Sequence, residues 1–247
     1  MNNSGEWKPG RFAFKDGKLE ISTDRAELAV QSRLITWLVA EAFNEHFLKH
    51  CRGRLLDLGC GKVPFYEFYR NHVEETVCAD WGNTLHGSRH VDVTCDLTKP
   101  LPFQDDEFDT VLLSDVLEHI ATPQQLMNEV SRVLRRNGRL ILNVPFMYWL
   151  HETPHDYYRY TEFALRRMTE LSGLDVLLLE PLGGPSAVLA DISAKRLIQI
   201  PGIGSLLARM VQSLCRVWLQ LAKRNVVGND GKQLFPSEYF MIARKPG

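Results

Sequence analysis

Leu55-Leu56-Asp57-Leu58-Gly59-Cys60-Gly61 is the stretch that decides the fold of this 247-residue chain. Its first four residues are typical of a buried strand, and the glycines after them allow a tight turn that a ligand can approach closely. Asp57 precedes the first glycine by two residues, so its carboxyl group is expected at the strand end, where α/β sheets bind ligands. The stretch therefore predicts a strand, a turn and a ligand crevice.

Two common phosphate-binding motifs fit this turn poorly. Pro64 stands where a dinucleotide-binding G-x-G-x-x-G turn would close on its third glycine. The Walker pattern is absent because Val63 follows Lys62 without the required spacing. A carboxylate at the strand end also suits a cationic ligand group better than a pyrophosphate. The sequence of this turn therefore disfavours a nicotinamide-dependent dehydrogenase.

Short apolar runs alternate with helical patterns along most of the chain, which predicts a mostly parallel sheet with helices on both faces. A helix is expected from a cap at Thr23 to about His50, and the lead-in before it contains a hairpin signal at Asp16-Gly17. Two further helices are expected, from a Thr122 cap to Asn137-Gly138 and from Thr161 to Gly173. The expected strands are 55–58, 76–79, 110–114, 140–144, 176–179 and 238–243.

Composition excludes several classes of protein. Lys and Arg number 29 against 30 Asp and Glu, so the net charge of −1 gives no field that would recruit nucleic acid. The 5 Cys have no C-x-x-C pair and indicate a reducing compartment, with the cytoplasm as the expected location. No signal peptide or transmembrane stretch is recognised. We expect a lead-in and helical region over 1–52 and one α/β domain over 53–247.

A basic, apolar insertion is expected at about 184–229 within that domain. Its segment 205–224 forms an amphipathic pattern with apolar residues on one face. No acidic residue occurs from Ser193 to Asn229. Docking of this helix on the core is the favoured interpretation, and peripheral contact with an anionic membrane is the alternative.

The motifs that follow the glycine turn resemble those of class I S-adenosylmethionine-dependent methyltransferases. Asp80 ends the second strand 21 residues beyond Gly59, where the family's acid binds the ribose hydroxyls, and Trp81 follows where an aromatic ring often lies on the adenine. The resemblance continues through segments 96–97, 101–103, 108–109, 116–119 and 133–140. It implies a Rossmann-like fold with a seven-stranded sheet in the order 3-2-1-4-5-7-6 and S-adenosyl-L-methionine as cofactor. The implied cofactor-binding residues are Asp57, Gly59, Cys60, Gly61, Asp80, Trp81, Asp96, Leu97 and Ser114.

The acceptor is expected at the loop after the fifth strand, residues 147–161, which is rich in aromatic and titratable groups. A segment like His151-Glu152-x-Pro154-His155-Asp156-Tyr157-x-Arg159 is similar to one in type 11 methyltransferases, often associated with saccharide or lipid pathways. A hydroxyl acceptor needs a base, and histidine has a suitable pKa. The hypothesis makes His155 or His151 the base, Asp156 or Glu152 its orienting partner and Arg159 an anchor. Tyr157 and Tyr158 would form a stacking wall.

Alternatives remain open for this loop and for the function. Arg159 and Asp156 could form an ion pair that holds the loop. Asp115, Glu118 and His119 could bind a divalent metal with one of the loop histidines, although no metal is assigned. Base N-methylation is disfavoured because Ser114-Asp115 stands where an N-P-P-Y segment would occur. We expect methyl transfer to oxygen of a small-molecule, saccharide or lipid-linked acceptor, with a non-catalytic binding or docking module as the main alternative.

Overall fold

A seven-stranded sheet lies at the centre of this computed structural model, which describes residues 1–82, 89–224 and 234–247. A separate hairpin of two strands precedes it. The strands in chain order are β1 Phe12–Lys15, β2 Lys18–Ile21, β3 Arg54–Leu58, β4 Glu75–Asp80, β5 Val93–Thr94, β6 Phe108–Ser114, β7 Leu134–Pro145, β8 Asp175–Leu182 and β9 Glu238–Arg244.

The large sheet has the order β5-β4-β3-β6-β7-β9-β8, which is the expected 3-2-1-4-5-7-6 arrangement. Its first five strands run parallel, and β9 pairs antiparallel with both β7 and β8. The order reverses between β3 and β6, so a ligand crevice opens at the carboxyl ends of these two strands. The predicted fold class is therefore confirmed.

Helices cover both faces of the sheet. Helix α1 lies with the lead-in on one face, and α4 and α5 lie on the other. The helices are α1 Arg33–Ala42, α2 Leu48–His50, α3 Tyr66–Tyr69, α4 Pro123–Val133, α5 Glu162–Leu171, α6 Pro185–Leu197 and α7 Gly204–Arg224, with a π-helical segment Phe43–Phe47 between α1 and α2 and short 3-10 turns at Ser4–Glu6, Val30–Ser32 and Leu117–His119.

The predicted start of one helix and the predicted end of another were wrong. No helix begins at Thr23, because Asp24 closes a local turn by accepting the Ala26 N–H at 2.8 Å, and α1 begins at Arg33. Helix α4 ends at Val133 instead of Asn137-Gly138. The N–H groups of Asp106 and Glu107 bond the carbonyls of Arg132 and Val133, so the chain passes directly into β7. The start of α5 agrees with the sequence, since the Thr161 side chain caps the Ala164 N–H.

The lead-in covers part of the glycine turn. Its predicted hairpin is present as β1 and β2, joined at Asp16 and Gly17, which both have positive φ. Trp7 donates its indole N–H to the Val63 carbonyl at 3.0 Å. Behind this contact, the rings of Phe43 and Phe65 stack with centroids 4.1 Å apart. Residues before the sheet thus help to build the ligand crevice.

The predicted insertion forms the helix pair α6 and α7, and the last part of its expected range, 225–229, lies outside the described residues. Helix α7 packs on α1 through the side that carries Gln212. The Gln212 side chain is buried, accepts the Leu34 N–H at 2.8 Å and donates to the Val30 carbonyl at 2.7 Å. Within the described residues, the helices are too short or too polar to cross a bilayer.

Candidate functional site

The glycine turn after β3 fixes one wall of the site. Gly59 has φ +72°, and a Cβ atom there would lie 2.5 Å from the Val116 side chain, so only glycine fits without a shift. The N–H groups of Gly59 and Cys60 both point to the Ala79 carbonyl of β4. The turn is thereby tied to the next strand, and the predicted residue at its centre, Cys60, is buried.

Asp80 joins the glycine turn to the end of β4. One carboxylate oxygen accepts the Gly61 N–H at 2.8 Å, and the other accepts the Trp81 N–H at 2.8 Å. Trp81 itself is 37% exposed beside this carboxylate. A carboxylate oriented by two backbone donors, next to an available aromatic face, fits the ribose hydroxyls and the adenine ring of an adenosyl ligand.

Asp57 and Ser114 complete the crevice between β3 and β6. Asp57 is buried and accepts the Tyr69 hydroxyl at 3.0 Å. Burial raises the pKa of Asp57 to about 7, against the effect of the Tyr69 hydrogen bond, so a nearby cationic group would favour its ionised form. The Ser114 hydroxyl is buried without a hydrogen-bond partner among the described residues. Both groups fit the cationic methionine part of the expected cofactor.

Asp96 and Leu97 lie beyond the short strand β5. The Asp96 carboxylate accepts the Thr98 N–H and hydroxyl, and these hydrogen bonds lower its pKa. Leu97 is buried. The predicted adenine-side residues therefore have an ordered local turn, with Asp96 exposed towards solvent.

Asp156 is the centre of the loop after β7. Its side chain is 1% exposed and receives two hydrogen bonds from Arg159, at 2.6 and 2.7 Å, and one from the His151 N–H at 2.9 Å. Burial opposes ionisation of Asp156, but the Arg159 and His151 hydrogen bonds outweigh it and hold its pKa at about 2. Arg159 also donates to the Tyr148 and Trp149 carbonyls. Arg159 and Asp156 therefore form the ion pair that was the alternative for this loop, and the pair holds the loop in place.

The two candidate bases occupy different places. His151 lines a cavity, and its Nδ1 lies 3.3 Å from Asp156. His155 packs edge-on against Trp81, with ring centroids 5.3 Å apart, and contacts the Tyr157 hydroxyl at 3.1 Å. Tyr158 donates to the Ala121 carbonyl and stacks on the ring of Tyr160. His155 and the two tyrosines therefore lie towards the adenine side or the loop exterior.

A cavity of about 100 Å³ lies between the lead-in, α1 and the carboxyl ends of β6 and β7. Burial and the Asp115 charge raise the pKa of Glu118 well above its usual value, and the same two causes raise that of Glu238 to about 8. Arg11 pairs with Asp115 at 2.6 Å. The cavity is lined by Arg11, Phe12, Ile35, Thr36, Val39, Asp115, Glu118, Pro145, Tyr148, His151, Glu152 and Glu238.

Sequence reasoning missed Arg11 and Glu238 as site residues. Neither belongs to a motif, because Arg11 stands in a polar lead-in and Glu238 opens the last strand. Asn143 links them to the site, since its amide donates to Asp115 at 2.6 Å and to Glu238 at 2.9 Å. A carboxylate at the start of an otherwise apolar strand was the available signal for Glu238.

Glu118, His119 and His151 offer a possible set of metal donors. Their ligand atoms all lie within 4.8 Å of one another. Glu118 is fully buried, and among the described residues neither of its carboxyl oxygens has a hydrogen-bond partner. His119 directs Nδ1 to the His155 carbonyl at 2.9 Å, and its Nε2 lies 3.6 Å from Glu118. His151 Nε2 lies 3.8 Å from Glu118, so both measured separations exceed the roughly 3.4 Å between ligands of a tetrahedral ion.

The central segment of the chain is similar to known proteins. Residues 56–142 match the family model described as a methyltransferase domain. Two uncharacterized proteins of Methanocaldococcus jannaschii, MJ1123 and MJ0638, are 30% and 32% identical over 104 residues. These alignments cover 42% and 36% of this chain, and 49% and 40% of the relatives, so the chain spans about half or less of the curated relatives it matches.

Solved structures share the fold at low sequence identity. The [4+2]-cyclase SpnF has a TM-score of 0.56 and 17% identity, with 96% of this chain and 88% of that chain covered. A SAM-dependent methyltransferase from Archaeoglobus fulgidus has a TM-score of 0.52 and 21% identity, with 84% and 93% covered. Because these folds serve different reactions, the fold alone does not decide the chemistry. The family model narrows the comparison: residues 56–142 match a methyltransferase domain, in agreement with S-adenosylmethionine as the cofactor expected from the sequence motifs.

Proposed function

We propose that this protein transfers a methyl group from S-adenosylmethionine to a hydroxyl oxygen of a small or saccharide-like acceptor. The observation that carries the proposal is the cavity at the carboxyl ends of β6 and β7, where His151 lies beside Asp156. The cavity borders on Asp115, the residue that follows the cofactor-side Ser114. An acceptor in the cavity would therefore adjoin the proposed methyl-donor crevice.

The lining of the cavity suits a neutral, hydroxyl-bearing group of an acceptor. The raised pKa values of Glu118 and Glu238 favour their neutral forms near pH 7, and Arg11 is paired with Asp115. Carboxyl groups in this state can donate and accept hydrogen bonds. The rings of Phe12 and Tyr148 line the same space. Polar groups that fix orientation beside aromatic walls are typical of a small-molecule site.

His151 is the residue that we assign as general base. Its buried Nδ1 faces the Asp156 carboxylate, so Nε2, which lies 3.8 Å from Glu118, is the nitrogen that would meet the acceptor. Burial and the neighbouring His119 lower the pKa of His151, so the ring is predominantly neutral at pH 7 and can accept a proton. Asp156 acts as a positioning residue, because Arg159 and the backbone hold it in one orientation.

When bound, S-adenosylmethionine supplies an electrophilic methyl group on its sulfonium sulfur, and this sulfur becomes a neutral thioether when the methyl group is transferred. Asp80 would hold the ribose, and Asp57 would face the cationic end. The cavity residues would orient the acceptor hydroxyl towards the methyl group, and Nε2 of His151 would take the hydroxyl proton. Positioning of this kind can lower a barrier by about 7 to 11 kcal/mol in well-oriented systems.

Calorimetric titration provides the first test. We expect S-adenosylmethionine and S-adenosylhomocysteine to bind and NADH not to bind. Asp80→Asn should weaken adenosyl-ligand binding at least tenfold, because charge-assisted hydrogen bonds contribute about 1.5 to 3 kcal/mol each. Asp105→Asn changes an exposed acid paired with Arg132 and is the matched control. Binding of NADH alone would instead favour an oxidoreductase.

Turnover distinguishes an enzyme from a binding module. Formation of S-adenosylhomocysteine can be measured with a panel of free and lipid-linked saccharides. His151→Gln should remove turnover and retain cofactor binding. His155→Gln should retain turnover, because the proposed base His151 is unchanged. A cofactor-binding protein that methylates no hydroxyl compound would contradict the proposal and favour the non-catalytic alternative.

A further inference from the structure

The helix pair α6 and α7 exposes an unusual amount of apolar surface. Ten large apolar side chains on this pair and its connection are between 42% and 68% exposed. On α7 they follow a helical spacing and form one continuous stripe. The ten are Leu189, Ile192, Ile200, Ile203, Leu206, Met210, Leu214, Val217, Trp218 and Leu221. Apolar patches of this kind mark contact surfaces on soluble proteins.

If α7 simply docked on the core, its apolar stripe would be buried. The structure instead buries the opposite side of the helix. Ala208, Gln212 and Leu219 face the protein interior, while Leu206 and Leu214 are 60% and 68% exposed. Gln212 satisfies backbone groups of the turn before α1 and of α1 itself, and Ala208 allows close approach. The apolar stripe is therefore not needed for packing of this helix on the core.

Three arginines surround a hollow of about 100 Å³ beside this stripe. Arg33 of α1 and Arg209 and Arg216 of α7 line it, together with Gln212 and Ser213. No carboxylate of the described residues forms an ion pair with any of the three. Burial and the charges of Arg209 and Arg216 lower the pKa of Arg33. Arg33 does donate to the Ser22 carbonyl at 3.0 Å. Guanidinium groups that lack a carboxylate partner among the described residues and lie around one hollow suit a phosphate group.

The positions of these arginines along α7 match those of an interfacial helix. Arg209 and Arg216 are seven residues apart, so at 3.6 residues per turn they lie next to each other, on one side of the stripe and outside it. Arg196 is exposed on α6 near Ile192 and Ile200. From Ser193 to Arg224 the chain has no acidic residue.

We propose that the stripe of α6 and α7 docks on an anionic phospholipid membrane, with a lipid phosphate in the Arg33–Arg209–Arg216 hollow. Apolar side chains would enter the headgroup boundary, and the flanking arginines would attract the negative surface. Docking of a second copy through the same face is less favourable, because a two-fold contact would bring the arginines of both copies together.

The proposed membrane face lies next to the acceptor cavity. Arg33 and Leu34 line the hollow, and the next two residues of α1, Ile35 and Thr36, line the cavity. Lys195 of α6 also lies 3.7 Å from the ring centroid of Tyr148, another cavity residue. An acceptor carried by a lipid could thus reach the site from the docked surface. This last point rests on the proposed function, whereas membrane binding itself does not.

Vesicle flotation of the full chain tests the proposal without any cofactor or acceptor. We expect flotation with vesicles of 70% phosphatidylcholine and 30% phosphatidylglycerol, weaker binding at high salt, and little binding to pure phosphatidylcholine. Each arginine near an anionic surface is worth about fivefold in partition. Arg209→Ser with Arg216→Ser should therefore weaken binding roughly 25-fold. Arg166→Ser with Arg167→Ser makes the same charge change on exposed α5 residues and should leave binding unchanged.

A second pair of variants tests the apolar part. Leu206→Ser with Leu214→Ser keeps every arginine and should weaken binding more than tenfold, since each exposed leucine would be buried in the boundary. Phe163→Ser with Leu171→Ser removes exposed apolar side chains of α5 and is the control. Arg216 also packs over the Trp37 ring at 4.9 Å, so its substitution could disturb folding. Circular dichroism of each variant checks the fold, and the single variant Arg209→Ser tests the charge effect without changing Arg216.

Three results would overturn the inference. The first is no flotation of folded protein with any vesicle. The second is flotation that the arginine or leucine variants leave unchanged. The third is a dimer, detected by analytical ultracentrifugation, that the leucine variants dissociate while vesicles are not bound. The calorimetric assay of cofactor binding is independent of all three, so failure here does not imply failure of the proposed function.

Discussion

Asp156→Asn is the perturbation whose effect can be worked out most directly. The substitution keeps the side-chain shape but removes the charge that Arg159 and the His151 N–H stabilise. The pKa of Asp156 is about 2 instead of the ordinary 3.8. At about 1.36 kcal/mol for each pKa unit, the folded state favours the ionised form by roughly 2.4 kcal/mol. For a chain of this size the melting temperature should fall by roughly 5 to 10 °C.

The sign of the pH dependence follows from the lowered pKa. Stabilisation by Asp156 is present above its unfolded pKa of about 4 and is lost as the pH falls towards 2. Wild type and Asp156→Asn should therefore differ in urea-unfolding free energy at pH 7, and this difference should shrink between pH 4 and pH 3. Asp105→Asn is the control, because Asp105 also pairs with an arginine but its side chain is 75% exposed. Its change should stay below about 1 kcal/mol.

Equal stability of wild type and Asp156→Asn at pH 7 would refute this reasoning. A stability difference that persists unchanged to pH 3 would also refute it, since the effect would then not depend on ionisation. The same variant should bind S-adenosylmethionine normally and lose turnover, because Asp156 orients His151 and not the glycine turn.

Three further predictions concern the base, the metal alternative and the glycine turn. Wild-type kcat should rise with pH through a pKa below 6.5 and be level at pH 7; His151→Gln should lower kcat about 100-fold or more and remove this rise, whereas loss of the rise in His155→Gln would contradict the assignment. Dialysis against EDTA should leave turnover unchanged, and activity that is lost and then restored by a divalent cation would make the Glu118 cluster a metal centre. Gly59→Ala should cost roughly 2 to 4 kcal/mol of unfolding free energy and weaken cofactor binding, because its Cβ would overlap Val116. Gly173→Ala has the same φ of +72° with free space around it and should cost about 1 kcal/mol, so equal losses in urea unfolding would disprove the overlap.

The sheet was predictable because its central strands β3, β6 and β9 are buried on both faces and form short continuous apolar runs. The turn 59–61 identified the crevice, since glycine is required there for a local steric reason. Helix ends were less predictable. Asp24 has the composition of a helix cap but closes a turn, and Val133 ends α4 because a loop distant in sequence takes its carbonyl group.

The cofactor side of the site was more predictable than the acceptor side. Asp57 and Asp80 stand at strand ends, so the order of the strands alone brings them to one edge. The sequence left His151 and His155 as equal candidates for the base. Folding of the loop around Asp156 separates them, because His151 faces the cavity and His155 contacts Trp81.

The sequence by itself determined the class of fold, the strand order through the family resemblance, and the residues of the glycine turn. These properties depend on local patterns and on spacing along the chain. The tertiary structure alone brought Arg11 and Glu238 into one cavity and gathered Arg33, Arg209 and Arg216 around one hollow. Such groupings join residues far apart in the chain, and they arise only when burial of the core fixes which faces of the elements meet.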